Sequence, residues 1–247
     1  MEEAGRPVAL VTGGARRIGA EIARRLHGAG YDLAIHYRSA EAEALALKGE
    51  LEARRPASVL LLPGELGGDG VPAALVASVL AHFGRLDGLV NNASAFFPTP
   101  LGEATDAQWQ QLFDSNARAP FFLAQAAAPA LRAARGAIVN MIDIHAERGL
   151  RAHTPYVMAK SALAAMTRSL ALELAPEVRV NGVAPGAVLW PEQGKPEDEK
   201  QAMLRATPLA RAGTPAELAE AVRWLLQDAS YCTGQILRVD GGRSVSS

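Results

Sequence analysis

The sequence predicts a doubly wound α/β fold: a single domain over 1–247 whose seven parallel strands carry helices on both faces. Three observations predict it. Short, almost continuously apolar runs alternate along the whole chain with longer amphipathic stretches, as strands covered on both faces by helical crossovers require. The first of these runs leads straight into a glycine-rich turn and then a helical stretch. No repeat or low-complexity linker divides the 247 residues, which are enough to bury a substantial core.

The expected strands are "PVALVT" (7–12), "DLAIHY" (32–37), "SVLLLP" (58–63), "LDGLVNN" (86–92), "GAIVNM" (136–141), "VRVNGVAP" (178–185) and "QILRVD" (235–240). Helix starts between them are marked by chemistry as well as period. Thr105 to Gln108 and Thr214 to Glu217 read as capping boxes, the second with Pro215 at the first helical position. Thr154-Pro155 reads as the N-cap and first residue of a helix carrying Tyr156 and Lys160. The long polar segment 189–208 follows the sixth strand and holds three prolines and a charge run. At the carboxyl end of a strand it is expected to act as a substrate lid, over about 187–208.

Composition excludes several functions. The hydrophobic share is 49%, the charged share 21% and the formal net charge −1, so no basic surface advertises nucleic acid or an anionic membrane. The single cysteine, Cys232, forms no internal disulfide and is expected as a small buried residue, and no Cys/His cluster has metal-ligand spacing. The start of the chain is acidic rather than signal-like, and no apolar run reaches membrane-spanning length. A reducing cytoplasm is the expected location, with no metal, no nucleic acid and no membrane as partner.

The turn "TGGARRIG", Thr12 to Gly19, joins the first strand to a helix. Its glycines let backbone approach a pyrophosphate, and the helix N-terminus offers free N–H groups and a favourable dipole. Arg17 adds a guanidinium over those phosphates, with a reach toward a bound substrate. After the second strand comes Tyr37-Arg38-Ser39, where an NAD enzyme would place a carboxylate on the ribose. A cation and a hydroxyl there suit an adenosine 2′-phosphate and favour NADPH over NADH, although the default role of Ser39 is to cap the next helix. Tyr156 and Lys160, four apart, share one helix face, where an ammonium favours the phenolate and brings the phenol nearer to neutrality as a proton carrier. Asp143 lies thirteen residues before Tyr156.

The ordered series TGGARRIG, NNAS (Asn91 to Ser94), Asn116 in DSNARAPFFLA, Asp143, YVMAK and VAPG ending at Gly186 resembles the short-chain dehydrogenase/reductase family over nearly the whole chain. The resemblance implies a Rossmann fold with a cofactor half, roughly 1–135, and a catalytic and substrate half, roughly 136–247. It also implies a nicotinamide cofactor held by Gly13, Arg17, Ile18 and Gly19, with Arg17 standing at the family's middle glycine. Glu65 and Leu66 would meet adenine, with Glu65 in place of the usual aspartate, and Asn92, Ala93 and Ser94 the nicotinamide side. Asn116 would hold a water and lysine relay, Lys160 would grip the ribose while tuning Tyr156, and Pro185 with Gly186 would shape the nicotinamide pocket. The family is usually tetrameric.

Asp143 departs from the family's serine. An ionised carboxylate only accepts hydrogen bonds and repels a developing alkoxide, so it suits a ring that needs a proton on nitrogen and presents N–H donors. The pattern is similar to the pteridine reductase branch, as are HYRSA, NNASAFFPTPL and NMID. In that branch a planar pterin lies between nicotinamide and a phenylalanine, a position matched here by Phe96. Arg17, Ser94, Leu189 and Trp190 would complete the substrate pocket with Asp143 and Tyr156. His145 and His153 read as loop or helix-end residues. The expected activity is NADPH-dependent reduction of an oxidised or dihydro pterin. A carbonyl or alcohol oxidoreductase, or a nucleotide-sensing module without chemistry, stands as the alternative.

Overall fold

A computed structural model describes residues 5–189 and 196–246. Seven parallel strands form one sheet: β1 Val8–Val11, β2 Asp32–Tyr37, β3 Val59–Pro63, β4 Gly88–Asn91, β5 Ala137–Met141, β6 Arg179–Pro185 and β7 Ile236–Val239. Their order is β3-β2-β1-β4-β5-β6-β7. Leu10 lies opposite Ala34 on one side and Leu89 on the other. The chain therefore leaves β1 one way toward β2 and returns the other way to β4. That reversal opens a crevice beyond the carboxyl ends of β1 and β4.

The alternation of β1 shows how the two faces are filled. Val8 and Leu10 point into a cluster with α3 (Val71–Phe83), α5 (Ala119–Ala134) and α7 (Thr154–Glu173). Ala9 and Val11 point the other way, against α1 (Arg17–Gly28), α2 (Glu41–Glu52) and α9 (Pro215–Gln227). Truncating a fully buried side chain such as Leu10 to alanine is expected to cost about 2–5 kcal/mol. Both capping boxes form, at Thr105 before α4 (Asp106–Phe113) and at Thr214 before α9, and each is reciprocal.

Several expectations are corrected. Strand 86–92 shortens to Gly88–Asn91 and strand 7–12 to Val8–Val11, because the hydroxyl of Thr12 accepts hydrogen bonds from the backbone N–H groups of Asn92 and Ala93 and turns both chains off the ladder. Ser39 does not cap α2, whose N-cap is Ala40. Thr154 is the first residue of α7 and Pro155 the second, with His153 as N-cap; proline fits either place because first-turn N–H groups have no intrahelical acceptor. Cys232 is only half-buried, against the edge of the α1/α9 core cluster. Within the expected lid, α8 (Glu197–Arg205) buries no residue, while Trp190 lies outside the described residues. No helix among the described residues is long and apolar enough to cross a membrane, and no group of His, Cys, Asp and Glu there could hold a metal.

Candidate active site

The turn after β1 is built by close backbone approach. Gly13 has φ +58° and lies so near the NNAS turn that a Cβ would meet Ala93 Cα at 3.0 Å; at Gly19 a Cβ would run into the carbonyl oxygen of Gly13. The side-chain amide of Asn92 donates to the carbonyl oxygens of Thr12 and Gly13, at 2.9 and 3.0 Å, and locks the two turns together. Behind them, His36 of β2 accepts the Gly13 N–H on Nδ1. The first turn of α1 holds no acidic residue and its N-cap, Arg16, gives it no side-chain capping bond, an arrangement that suits an anion at that helix end.

Arg17 has φ +53°, the left-handed region, at the position where the family resemblance places glycine. A side chain there costs about 1–2 kcal/mol, a strain typical of ligand sites.

A cleft of about 560 Å³ opens from this turn. Gly13, Arg17, Ile18, Gly19, Tyr37, Arg38, Ser39, Glu65, Leu66, Asn92, Ala93 and Ser94 all line it, as does Phe96. Tyr37 and Leu66 are buried walls, whereas Arg38 and Ser39 are exposed. A second depression, about 580 Å³, lies between α1 and α9; its Arg24, Arg25 and Arg223 are paired with Glu50 and Glu220.

Phe96 joins the cleft to the acid–base group. Its ring meets Tyr156 edge-on at 4.8 Å and stacks on His153 at 4.7 Å and 14°, and it remains 49% exposed. It is therefore no hydrophobic plug. Tyr156 and Lys160 project from the first turns of α7 and are buried. Tyr156 donates its phenolic proton to Asp143 Oδ2 at 2.7 Å, and Asp143 Oδ1 accepts the His145 N–H at 2.8 Å. Lys160 donates to the carbonyl oxygen of Met141, the last residue of β5, at 2.7 Å.

This geometry reverses one expectation. Burial, and then the charge and hydrogen bond of Asp143, push the Tyr156 pKa well above that of a free phenol. The phenol is thus held as a proton donor to a carboxylate, and the lysine does not draw it toward neutrality. Burial lowers the Lys160 pKa to about 8 against the opposing charge of Asp143.

Asn116 is fully buried in a π-helical turn, Asp114–Arg118, an irregularity common at functional sites. Its amide donates to the carbonyl oxygens of Leu112 and Ala95, and its Oδ1 accepts the hydroxyl of Ser94 at 2.7 Å. The side chain thus fastens the 94–96 loop to the turn. Pro185 ends β6, and Gly186 is pressed on Asp240, whose Cα a Cβ would meet at 2.7 Å. Leu189 is exposed at the end of the described segment after β6.

The family model described as enoyl-(acyl carrier protein) reductase matches residues 13–244. The chain belongs to the short-chain dehydrogenase/reductase family. As a short-chain dehydrogenase/reductase it is an oxidoreductase that binds a nicotinamide cofactor. The cleft fits one: glycines admit the backbone, a helix N-terminus faces it, and a cation, Arg38, follows β2. Pteridine reductase 1 of Leishmania tarentolae is 39% identical, with 97% of each chain covered. The 3-oxoacyl-(acyl-carrier-protein) reductase FabG of Staphylococcus aureus is 36% identical over 95% of this chain and 96% of that protein. L-fucose dehydrogenase of Bos taurus is 38% identical over 95% and 88%.

The sequence reading misses His36, which is legible only as a polar residue inside an otherwise buried strand. His153, expected as a loop or helix-end residue, is the N-cap of α7, and its stacking on Phe96 carries no local sign because the partner ring is distant in the chain.

Proposed function

We propose that this short-chain dehydrogenase/reductase is an NADPH-dependent pteridine reductase, converting an oxidised or dihydro pterin to its tetrahydro form. The observation that carries the reading is the 2.7 Å hydrogen bond from Tyr156 to Asp143 where the family pattern has a serine. Its likeness to the Leishmania tarentolae protein supports the same substrate class.

Bound cofactor supplies the hydride, delivered to a ring carbon of the pterin. Tyr156, kept protonated by burial and by Asp143, gives its proton to the adjacent ring nitrogen. Asp143 is oriented by the His145 N–H and keeps lone pairs for N–H donors on the heterocycle. Phe96 offers an exposed ring as a stacking surface beside Tyr156. Arg38 and Ser39 take the 2′-phosphate, Arg17 and Ser94 border both ligands, and Leu189 lines the far wall. Lys160 sets the electrostatics beneath the phenol.

The enzyme works as one domain in the cytoplasm, assembled as a homotetramer. The half-exposed aromatic face of α4 and α5, with Trp109 stacked on Phe113 and Phe121 beside Phe122, suits a contact between copies. Light scattering checks the assembly.

An NADPH-oxidation assay against dihydrobiopterin, dihydrofolate, dihydromonapterin and a panel of ketones tests the function. Turnover of pterins alone supports it. Turnover of ketones with indifference to pterins favours the second reading, a carbonyl reductase, for which the likeness to the Staphylococcus aureus 3-oxoacyl reductase speaks.

A further inference from the structure

We infer that His36 is a positioning residue for the cofactor: its imidazole, in one neutral tautomer, anchors the phosphate-binding turn, and its protonation weakens nucleotide binding. The inference rests on nicotinamide cofactor binding and is independent of the pterin substrate.

The ring is 2% exposed, on the last turn-facing part of β2. Its Nδ1 lies 3.3 Å from the Gly13 nitrogen and its Nε2 3.0 Å from the Gly64 carbonyl oxygen. A backbone N–H only donates, so Nδ1 must be bare; a carbonyl only accepts, so Nε2 must carry the hydrogen. The two neighbours thus select a single tautomer. The main chain of His36 adds a third tie, accepting the Gly14 N–H at 2.9 Å. One residue therefore spans the phosphate turn after β1 and the end of β3.

An imidazolium carries N–H on both nitrogens and would set one against the Gly13 N–H. Gly13 has no slack to turn away, since it is pressed on Ala93 in a left-handed conformation. The bond is lost or the turn moves, and the backbone donors meant for phosphate move with it. Burial disfavours the imidazolium and lowers the His36 pKa, while the Gly64 carbonyl and the charge of Glu65 pull it back up. Among the described residues Glu65 is the charged group whose field acts on the ring, and its own partner is Arg38.

The test is the dissociation constant of NADP+, which withstands acid, measured by calorimetry from about pH 8 to about pH 5 on the wild type and on His36→Gln. A glutamine amide offers one donor and one acceptor but does not titrate. The wild-type constant is expected to be flat at neutral pH and to rise by up to about tenfold per pH unit below the imidazole pKa. His36→Gln is expected to bind within a few-fold of wild type at about pH 8 and to lose that acid limb. The 2′-phosphate itself titrates near about pH 6 and affects both proteins alike, so the ratio of the two constants is the readout. A ratio unchanged across the range overturns the inference. Should the variant not fold, nitrogen NMR of histidine-labelled wild type decides: a neutral ring protonated on Nε2 supports it, and the other tautomer sinks it. Failure of the wild type to bind NADP+ at any pH would overturn the cofactor reading beneath it.

Discussion

The guanidinium of Arg38 stands 3.5 Å from the carboxylate of Glu65, the first just past β2 and the second just past β3, and both side chains are exposed. An exposed pair of this kind contributes only about 0–1 kcal/mol, whereas a phosphate offers the guanidinium two charge-assisted bonds. On the proposed NADPH reading, a 2′-phosphate would displace the carboxylate. Arg38→Asp is expected to shift the NADPH to NADH preference by about 10- to 100-fold, the worth of hydrogen bonds to a charged group. Glu65→Gln, which removes the internal competitor, should tighten NADPH. Steady-state constants for both nucleotides check this, and an unmoved ratio in Arg38→Asp would remove Arg38 from cofactor choice.

Asp143→Ala is expected to keep cofactor affinity and lower pterin turnover by about 10²- to 10⁴-fold, the usual worth of an acid–base group. The phenol then lacks its acceptor, and the heterocycle loses its partner. Single-turnover rates with NADPH and a dihydropterin measure it. Wild-type rates in the variant would exclude the carboxylate from proton delivery.

Lys160 carries its charge below a pKa of about 8 and loses it above. Turnover that depends on the ammonium should fall as pH rises through that value. Loss of the fold is not the cause. The unfolded lysine titrates near about 10.4, so between about pH 8 and about pH 10 the unfolded chain holds more protons and this residue makes the native state more stable as pH rises. A basic limb near 8 that shifts upward in Lys160→Arg, with no parallel loss of thermal stability, is the expected profile.

Phe96→Ala is expected to raise the pterin KM by about 2- to 12-fold, the equivalent of about 0.5–1.5 kcal/mol for an aromatic pair, with the melting temperature hardly changed. The ring is half-exposed, so its removal leaves no closed cavity. A lowered melting temperature with an unaltered KM would show instead that the ring only packs against His153 and Tyr156.

Arg17→Gly and Arg17→Ala separate strain from binding. Glycine adopts φ +53° without strain and alanine only at a cost, so the glycine variant should melt about 2–4 °C above the alanine variant. Both should bind NADPH more weakly than wild type. Equal melting temperatures in the two variants would mean that the turn relaxes and stores no strain.

Much of the molecule was legible because its signals are local. Apolar runs of strand length, glycines at a strand–helix junction and threonine capping boxes all reappear as β1 to β7, the turn after β1 and the starts of α4 and α9. The crevice follows from them, because a parallel sheet that reverses its order at β1 must open there. The residues expected to hold the cofactor from Gly13 through Ser94 share one cleft for that reason.

Sequence by itself thus determined the sheet, its covering helices and which residues gather at the carboxyl ends of the strands. Only the tertiary structure decided how each polar atom is used. Asp143 accepts the hydrogen bond of the Tyr156 hydroxyl, the amide of Asn116 ties a loop, and His36 braces the phosphate turn. Periodicity is a property of neighbours along the chain, while a hydrogen bond, and the pKa it sets, depends on which distant atoms burial brings within about 3 Å.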